Sequence, residues 1–221
     1  HPHDVIRDCV SCLVGSEMFI RDSLMTLVDT ALNLSGICVA DLDAFAVTIG
    51  PGTFTGLRIG LSTIQGMATA TSKPVAGIGS LDALAAQAAP DSQTAGFLVC
   101  AMLDARRQEV YGRLFRADGQ AMAPVSEPRV GPPEILAGEI REPCVLVGSG
   151  ALLYQDILRE KLANRFILAA AAAHTIRGET VARLALETFK NEIVHGDRVL
   201  QPLYLRKSDA EINLAKQATK R

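Results

Sequence analysis

The segment Gly50-Pro51-Gly52-Thr53-Phe54-Thr55-Gly56-Leu57-Arg58-Ile59-Gly60 constrains this chain more than any other. An apolar run, Ala44 to Ile49, feeds a Gly/Pro turn, and a long helical pattern follows at once. A strand, a glycine loop and a helix in this order aim backbone N–H groups and a helix N-terminus at an anion. The side chains of a nucleotide-hydrolysing loop are missing, because Leu57 and Arg58 follow Gly56 where Lys and Ser/Thr would stand. The dinucleotide fingerprint fails too, since the glycines fall at 50, 52 and 56. Gly50, Gly52 and Thr53 therefore read in two ways: a phosphate-type loop without its usual side chains, or a tight structural turn.

The helix expected over 54–71 carries a second signal. Leu57, Leu61, Ile64 and Ala68 recur at the spacing of one buried helix face. Arg58, Ser62, Gln65 and Thr69 form a polar face, and Gly56, Gly60, Thr63 and Met67 form a third edge. Each glycine inside a helix costs roughly 1 kcal/mol against alanine, so Gly56, Gly60 and Gly66 call for a compensating close approach by another helix. The preceding helix, expected over 24–35, is apolar around most of its circumference: Leu24, Met25, Leu27, Val28, Ala31, Leu32 and Leu34 leave only a thin polar stripe. A surface helix normally shows one apolar face. Either this helix is buried on two sides within the domain, or one side meets a partner; the pattern leaves both open.

Composition narrows the function classes. With 48% apolar residues, the chain buries a substantial core, and a net charge of −2 argues against bulk electrostatic binding of nucleic acid. No apolar run approaches the ~18 residues of a membrane helix, and the start shows no secretory h-region. Five cysteines, Cys9, Cys12, Cys38, Cys100 and Cys144, are scattered and odd in number, which points to free thiols in the cytoplasm. The histidines His1, His3, His174 and His195 make no ligand motif, so neither a metal nor a cofactor is expected.

From residue 24 the chain alternates. The pattern predicts a helix at 24–35, a strand at 43–49, a helix at 54–71, a strand at 74–78 and a helix at 80–89 capped by Ser80. Pro90-Asp91-Ser92-Gln93 reads as a link between lobes. A strand at 96–103 and another at 109–115 follow, and Ala117-Asp118-Gly119-Gln120 signals a hairpin. A strand at 143–147 leads through Gly148-Ser149-Gly150 into a helix reaching about Lys161. A helix at 178–193 precedes a terminal strand, Pro202–Arg206. Gly148 and Gly150 make a second glycine turn, either facing the first across a cleft or serving as an ordinary strand–helix turn. The expected fold is α/β in two lobes: an N-terminal lobe over 24–90, a C-terminal lobe over 91–208, and a basic tail over 209–221.

Several segments together resemble the TsaB (YeaZ) family. They are Ala46 to Gly60, Lys73-Pro74-Val75, Ser80-Leu81-Asp82-Ala83-Leu84-Ala85, Asp104-Ala105-Arg106-Arg107-Gln108-Glu109-Val110-Tyr111 and Pro202-Leu203-Tyr204-Leu205-Arg206. The resemblance implies the two-lobed actin/Hsp70-like (ribonuclease H-like) fold of glycoprotease-type homologues. It also implies a non-catalytic subunit working with TsaD and the ATPase TsaE to place threonylcarbamoyl on N6 of the adenosine beside the anticodon in ANN-decoding tRNAs. The interface with TsaD, or with a second copy when TsaD is absent, then falls on helices 24–35 and 54–71. The residues it assigns there are Leu24, Leu27, Val28, Ala31, Gly56, Gly60, Thr63 and Met67. Gly50, Gly52, Thr53, Gly148 and Gly150 become vestigial phosphate loops. tRNA is contacted indirectly, and no membrane is involved.

One departure stands out. The family begins with three strands, and residues 1–23 are too few and unlike them. Ser11 to Ser23 resembles a translated sequencing adapter, so residues 1–23 are expected not to be the natural start. The strand at 43–49 would then expose an edge. The competing reading is a stand-alone ATP-binding or glycoprotease-like enzyme using the interlobe cleft, although no acid–base pair or nucleophile–histidine arrangement sits on either glycine loop. A third reading is a tRNA-binding module resting on the basic tail.

Overall fold

The computed structural model describes residues 20–88, 96–118, 121–191 and 200–206. Two sheets organise it. The first is a parallel pair, β1 (Phe45–Gly50) and β2 (Val75–Gly79), with Phe45 opposite Val75 and Thr48 opposite Ile78. Parallel strands are stable when both faces are covered, and the alternation along β1 and β2 provides for this. Phe45, Val47 and Val75 point to Ile64, Met67 and Ala68 of α2 (Phe54–Thr71). Ala46, Ala76 and Ile78 point the other way, to Val181, Leu184 and Ala185 of α7 (Gly178–Asn191). α1 (Ile20–Ser35) precedes this sheet and packs on α2.

The second sheet has six strands in the order β5-β4-β3-β7-β8, with β6 also on β4. Its centre is β3 (Leu98–Asp104), antiparallel to β4 (Val110–Asp118) and parallel to β7 (Cys144–Val147). β5 (Ala121–Pro124) and β6 (Arg129–Gly131) extend it on one side, and β8 (Phe166–Leu168) on the other. Val99, Ala101, Val145 and Val147 face α3 (Ser80–Ala88). Leu98, Cys100, Met102 and Leu146 face α4 (Pro133–Ala137), α5 (Ser149–Leu153) and α6 (Gln155–Leu162). α3 lies between the sheets. Leu81, Leu84 and Ala85 enter the second core and Ala83 the first, so every residue of α3 except Asp82 is buried.

Gln87 fastens α3 to α7. Its Nε2 donates to the carbonyls of Ala173 and Thr175, and its Oε1 accepts from the Arg177 N–H at 2.6 Å and the Thr180 hydroxyl at 3.2 Å. A buried amide with all four contacts made is worth keeping, because each orphaned partner would carry its desolvation cost.

Several expectations require correction. α1 begins at Ile20, so the boundary expected at 23 cuts a helix; residues 1–19 lie outside the described residues. Ser80 is the first residue of α3 rather than a cap before it. The helix expected from Ser149 to Lys161 is broken at Tyr154 into α5 and α6. β6, α4 and β8 were not expected; each is five residues or fewer. Segment 202–206 is extended but forms no strand, making one backbone hydrogen bond, from the Leu203 N–H to the Ile49 carbonyl at 2.7 Å. α7 ends the alternation by returning to the first sheet. The basic tail, the link at 90–93, Cys9, Cys12, His1, His3 and His195 lie outside the described residues. Among the described residues, no helix is long and apolar enough to cross a membrane.

Candidate partner-docking face

α2 starts where β1 ends because Thr53 caps it: its hydroxyl accepts the Gly56 N–H at 3.3 Å, and its carbonyl accepts the Leu57 N–H at 3.0 Å. The Gly50–Pro51 peptide is cis. Gly50 has φ +116°, and a Cβ there would lie 2.8 Å from the Leu203 carbonyl oxygen. At Gly56 a Cβ would lie 2.7 Å from the capping hydroxyl of Thr53. Two glycines of the first loop are therefore required by its own packing. The second loop is alike. Gly148 has φ +109°, with a Cβ position 2.1 Å from the Met102 carbonyl oxygen, and a Cβ on Gly150 would lie 2.9 Å from Val110. The Ser149 hydroxyl accepts the Asp104 N–H at 3.1 Å. Asp104 is exposed and Glu109 pairs with Arg206, so the two carboxylates form no acid–base couple.

Gly60 and Gly66 behave differently. Nothing lies within 4 Å of the Cβ position of either. Both are helical glycines whose cost the chain itself does not offset. Their helix neighbour α1 displays its apolar surface outward, with Leu34 85%, Met25 48% and Leu27 42% exposed. Val28, Ala31 and Thr63 are half-buried, whereas Met67 departs from the expectation and packs inward on the Phe45–Val75 core. Leu24 departs from the expectation, being buried by its own chain at 6% exposure. A depression of about 390 Å³ opens on α2, lined by Arg58, Ile59, Ser62 and Thr63.

Segment 200–206, whose residues 202–206 the sequence marked as a terminal strand, crosses this region. Gln65 Nε2 donates to the Leu200 carbonyl at 3.1 Å, Tyr204 stacks on Phe54 with centroids 4.9 Å apart, and Arg206 donates to the Ala105 carbonyl at 2.8 Å. Residues 200–206 thus link α2 and β1 to the β3–β4 turn. That turn places Arg106, Arg107 and Gln108 at φ of 59°, 54° and 60° in succession. Among the described residues, no cluster of three metal-ligating side chains occurs.

The family model for TsaD, tRNA N6-adenosine threonylcarbamoyltransferase, matches residues 20–214. The chain belongs to that family. Within the family its likeness is to TsaB (YeaZ) proteins. It is 28% identical over 190 residues to the tRNA threonylcarbamoyladenosine biosynthesis protein TsaB of Bacillus subtilis, covering 85% of this chain and 80% of that protein. It is 29% identical over 198 residues to the TsaB of Escherichia coli, with the same coverage. The solved structure of YeaZ from Pseudomonas aeruginosa superposes with a TM-score of 0.70 at 27% identity, covering 87% of each chain. The two-sheet α/β architecture is thus the TsaB/YeaZ fold.

Proposed function

We propose that this chain is a non-catalytic subunit acting with TsaD and TsaE in threonylcarbamoylation of tRNA, at N6 of the adenosine beside the anticodon in ANN-decoding species. The TsaB names of its relatives support the pathway, and a cytoplasmic location fits that role. A docking role draws on one observation above all: α1, which packs on α2, turns Met25, Leu27 and Leu34 outward, and two α2 glycines, Gly60 and Gly66, have open space at their Cβ positions. A helical glycine with open space at its Cβ lets another helix approach closely, and exposed apolar patches mark interaction surfaces. TsaD occupies that face, and a second copy takes it when TsaD is absent. A scaffold role also fits the glycine loops, where Gly50 packs on the Leu203 carbonyl and Gly148 on the Met102 carbonyl of the same chain.

Size-exclusion chromatography with light scattering on the full chain, alone and with TsaD from the same source, tests this. A one-to-one complex that displaces a self-dimer is the expected result. Gly60→Leu and Val28→Asp should each abolish pairing while the isolated variants melt within a few degrees of the wild type. Pairing unaffected by both substitutions, or a wild-type chain that ignores TsaD, would overturn the proposal.

A further inference from the structure

We infer that Arg58 receives a carboxylate of the catalytic partner in the depression it shares with Ile59, Ser62 and Thr63, and that Tyr204 positions it. This rests on the docking reading above and adds the chemistry that recognises the partner. The Arg58 guanidinium carbon lies 3.9 Å from the Phe54 ring centroid, and its Nε–H donates to the Tyr204 hydroxyl at 3.1 Å. Phe54 and Tyr204 in turn stack at 28°. Stacking and one hydrogen bond therefore fix the plane of the guanidinium before any partner arrives. Its Nη1 and Nη2 have no hydrogen bond or ion pair among the described residues, which leaves two parallel donors for a bidentate acceptor.

The surroundings favour a carboxylate. Ile59, Ser62 and Thr63 share the depression with Arg58 and bring no acid, so the only charge among its lining residues is cationic. The stack contributes nothing to the buried core: Phe54 and Tyr204 are among the exposed large apolar side chains, and Arg58 is exposed. Clustered Arg, Tyr and Phe beside an apolar face is the composition of a binding hot spot. Tyr204 reaches this place from 146 residues away, on a segment fastened by the Leu203–Ile49 and Arg206–Ala105 hydrogen bonds. The net charge of −2 favours a protein carboxylate over an RNA phosphate as the anion.

The test measures the affinity of the full chain for TsaD at low and high salt, together with the melting temperature of each isolated variant. Arg58→Met should weaken the complex about tenfold or more and flatten its salt dependence. Arg58→Lys should restore only part of the affinity, because an ammonium neither stacks nor forks. Tyr204→Phe, which keeps the ring and frees the guanidinium, should weaken binding about threefold. All three should melt with the wild type. A wild-type chain that does not bind TsaD would sink the docking reading before any variant is made. A wild-type complex unaltered by Arg58→Met, or weakened only in proportion to lost thermal stability, would overturn the inference alone. So would an Arg58→Met chain that keeps TsaD but loses a tRNA transcript, since the anion would then be phosphate.

Discussion

The backbone N–H of Gly148 points at Nδ1 of His174, 3.0 Å away. The same nitrogen lies 3.3 Å from the Gly148 carbonyl oxygen, and Nε2 lies 3.0 Å from the Ala169 carbonyl oxygen. With the proton on Nε2, the ring accepts from Gly148 and donates to Ala169, satisfying the two shorter contacts; the other tautomer satisfies only the longest. His174 is thus a structural tie between the second glycine turn and the segment after β8. Gly148 must stay glycine there, with φ +109° and the Met102 carbonyl at the Cβ position. Gly148→Ala should destabilise the chain by roughly 3 kcal/mol or prevent folding. Urea unfolding followed by circular dichroism would show it, and an unchanged midpoint would contradict this packing.

Gln87 offers a sharper test of internal architecture. Gln87→Leu keeps the volume but orphans the Arg177 N–H and the Thr180 hydroxyl, along with two carbonyls. The expected loss is about 2–3 kcal/mol in urea unfolding. Gln87→Glu should be no better, since it sets a carboxylate against the carbonyls of Ala173 and Thr175. Native-state hydrogen exchange should rise first at the start of α7.

Gly66 predicts a change of the opposite sign. It is helical and exposed, with nothing within 4 Å of its Cβ position. Gly66→Ala should stabilise the isolated chain by about 1 kcal/mol, or about 2–4 °C in melting temperature. No gain would mean that α2 is held by something other than its own backbone propensity.

The cysteines predict an alkaline dependence. Burial pushes the Cys100 thiol up from its ordinary value of 9.0 to about 12, and burial also raises neighbouring Cys144. Between pH 9 and 12 the unfolded chain loses these protons while the folded chain keeps them, so stability falls as pH rises through that window. It is unaffected by these groups below pH 9. In a Cys9→Ser/Cys12→Ser background, Ellman's reagent should react quickly with exposed Cys38 and slowly with Cys100 and Cys144. Replacing both buried cysteines with alanine should flatten the alkaline loss.

Much of the first sheet was legible because its signals are local. The spacing of Leu57, Leu61 and Ala68 marked the face of α2 that is buried, and the run ending at Ile49 marked β1. The break at Tyr154 was not legible, because neither Gly nor Pro interrupts Ser149–Leu162 after Gly150. β6 and β8 are three residues each and are strands only because β4 and β7 lie beside them. The candidate interface was half legible. Periodicity grouped Gly56 and Gly60 on one edge, yet Gly56 serves the Thr53 cap while Gly60 faces open space.

The sequence by itself determined which helices carry surplus apolar surface and surplus glycine, since amphipathic period and helix propensity are properties of neighbouring residues. Only the tertiary structure decided which apolar residues of α1 remain exposed, burying Leu24 and leaving Leu34 out. It alone brought Tyr204 onto Phe54 and Arg58, because a contact between residues 146 apart depends on where the chain returns and leaves no periodic trace.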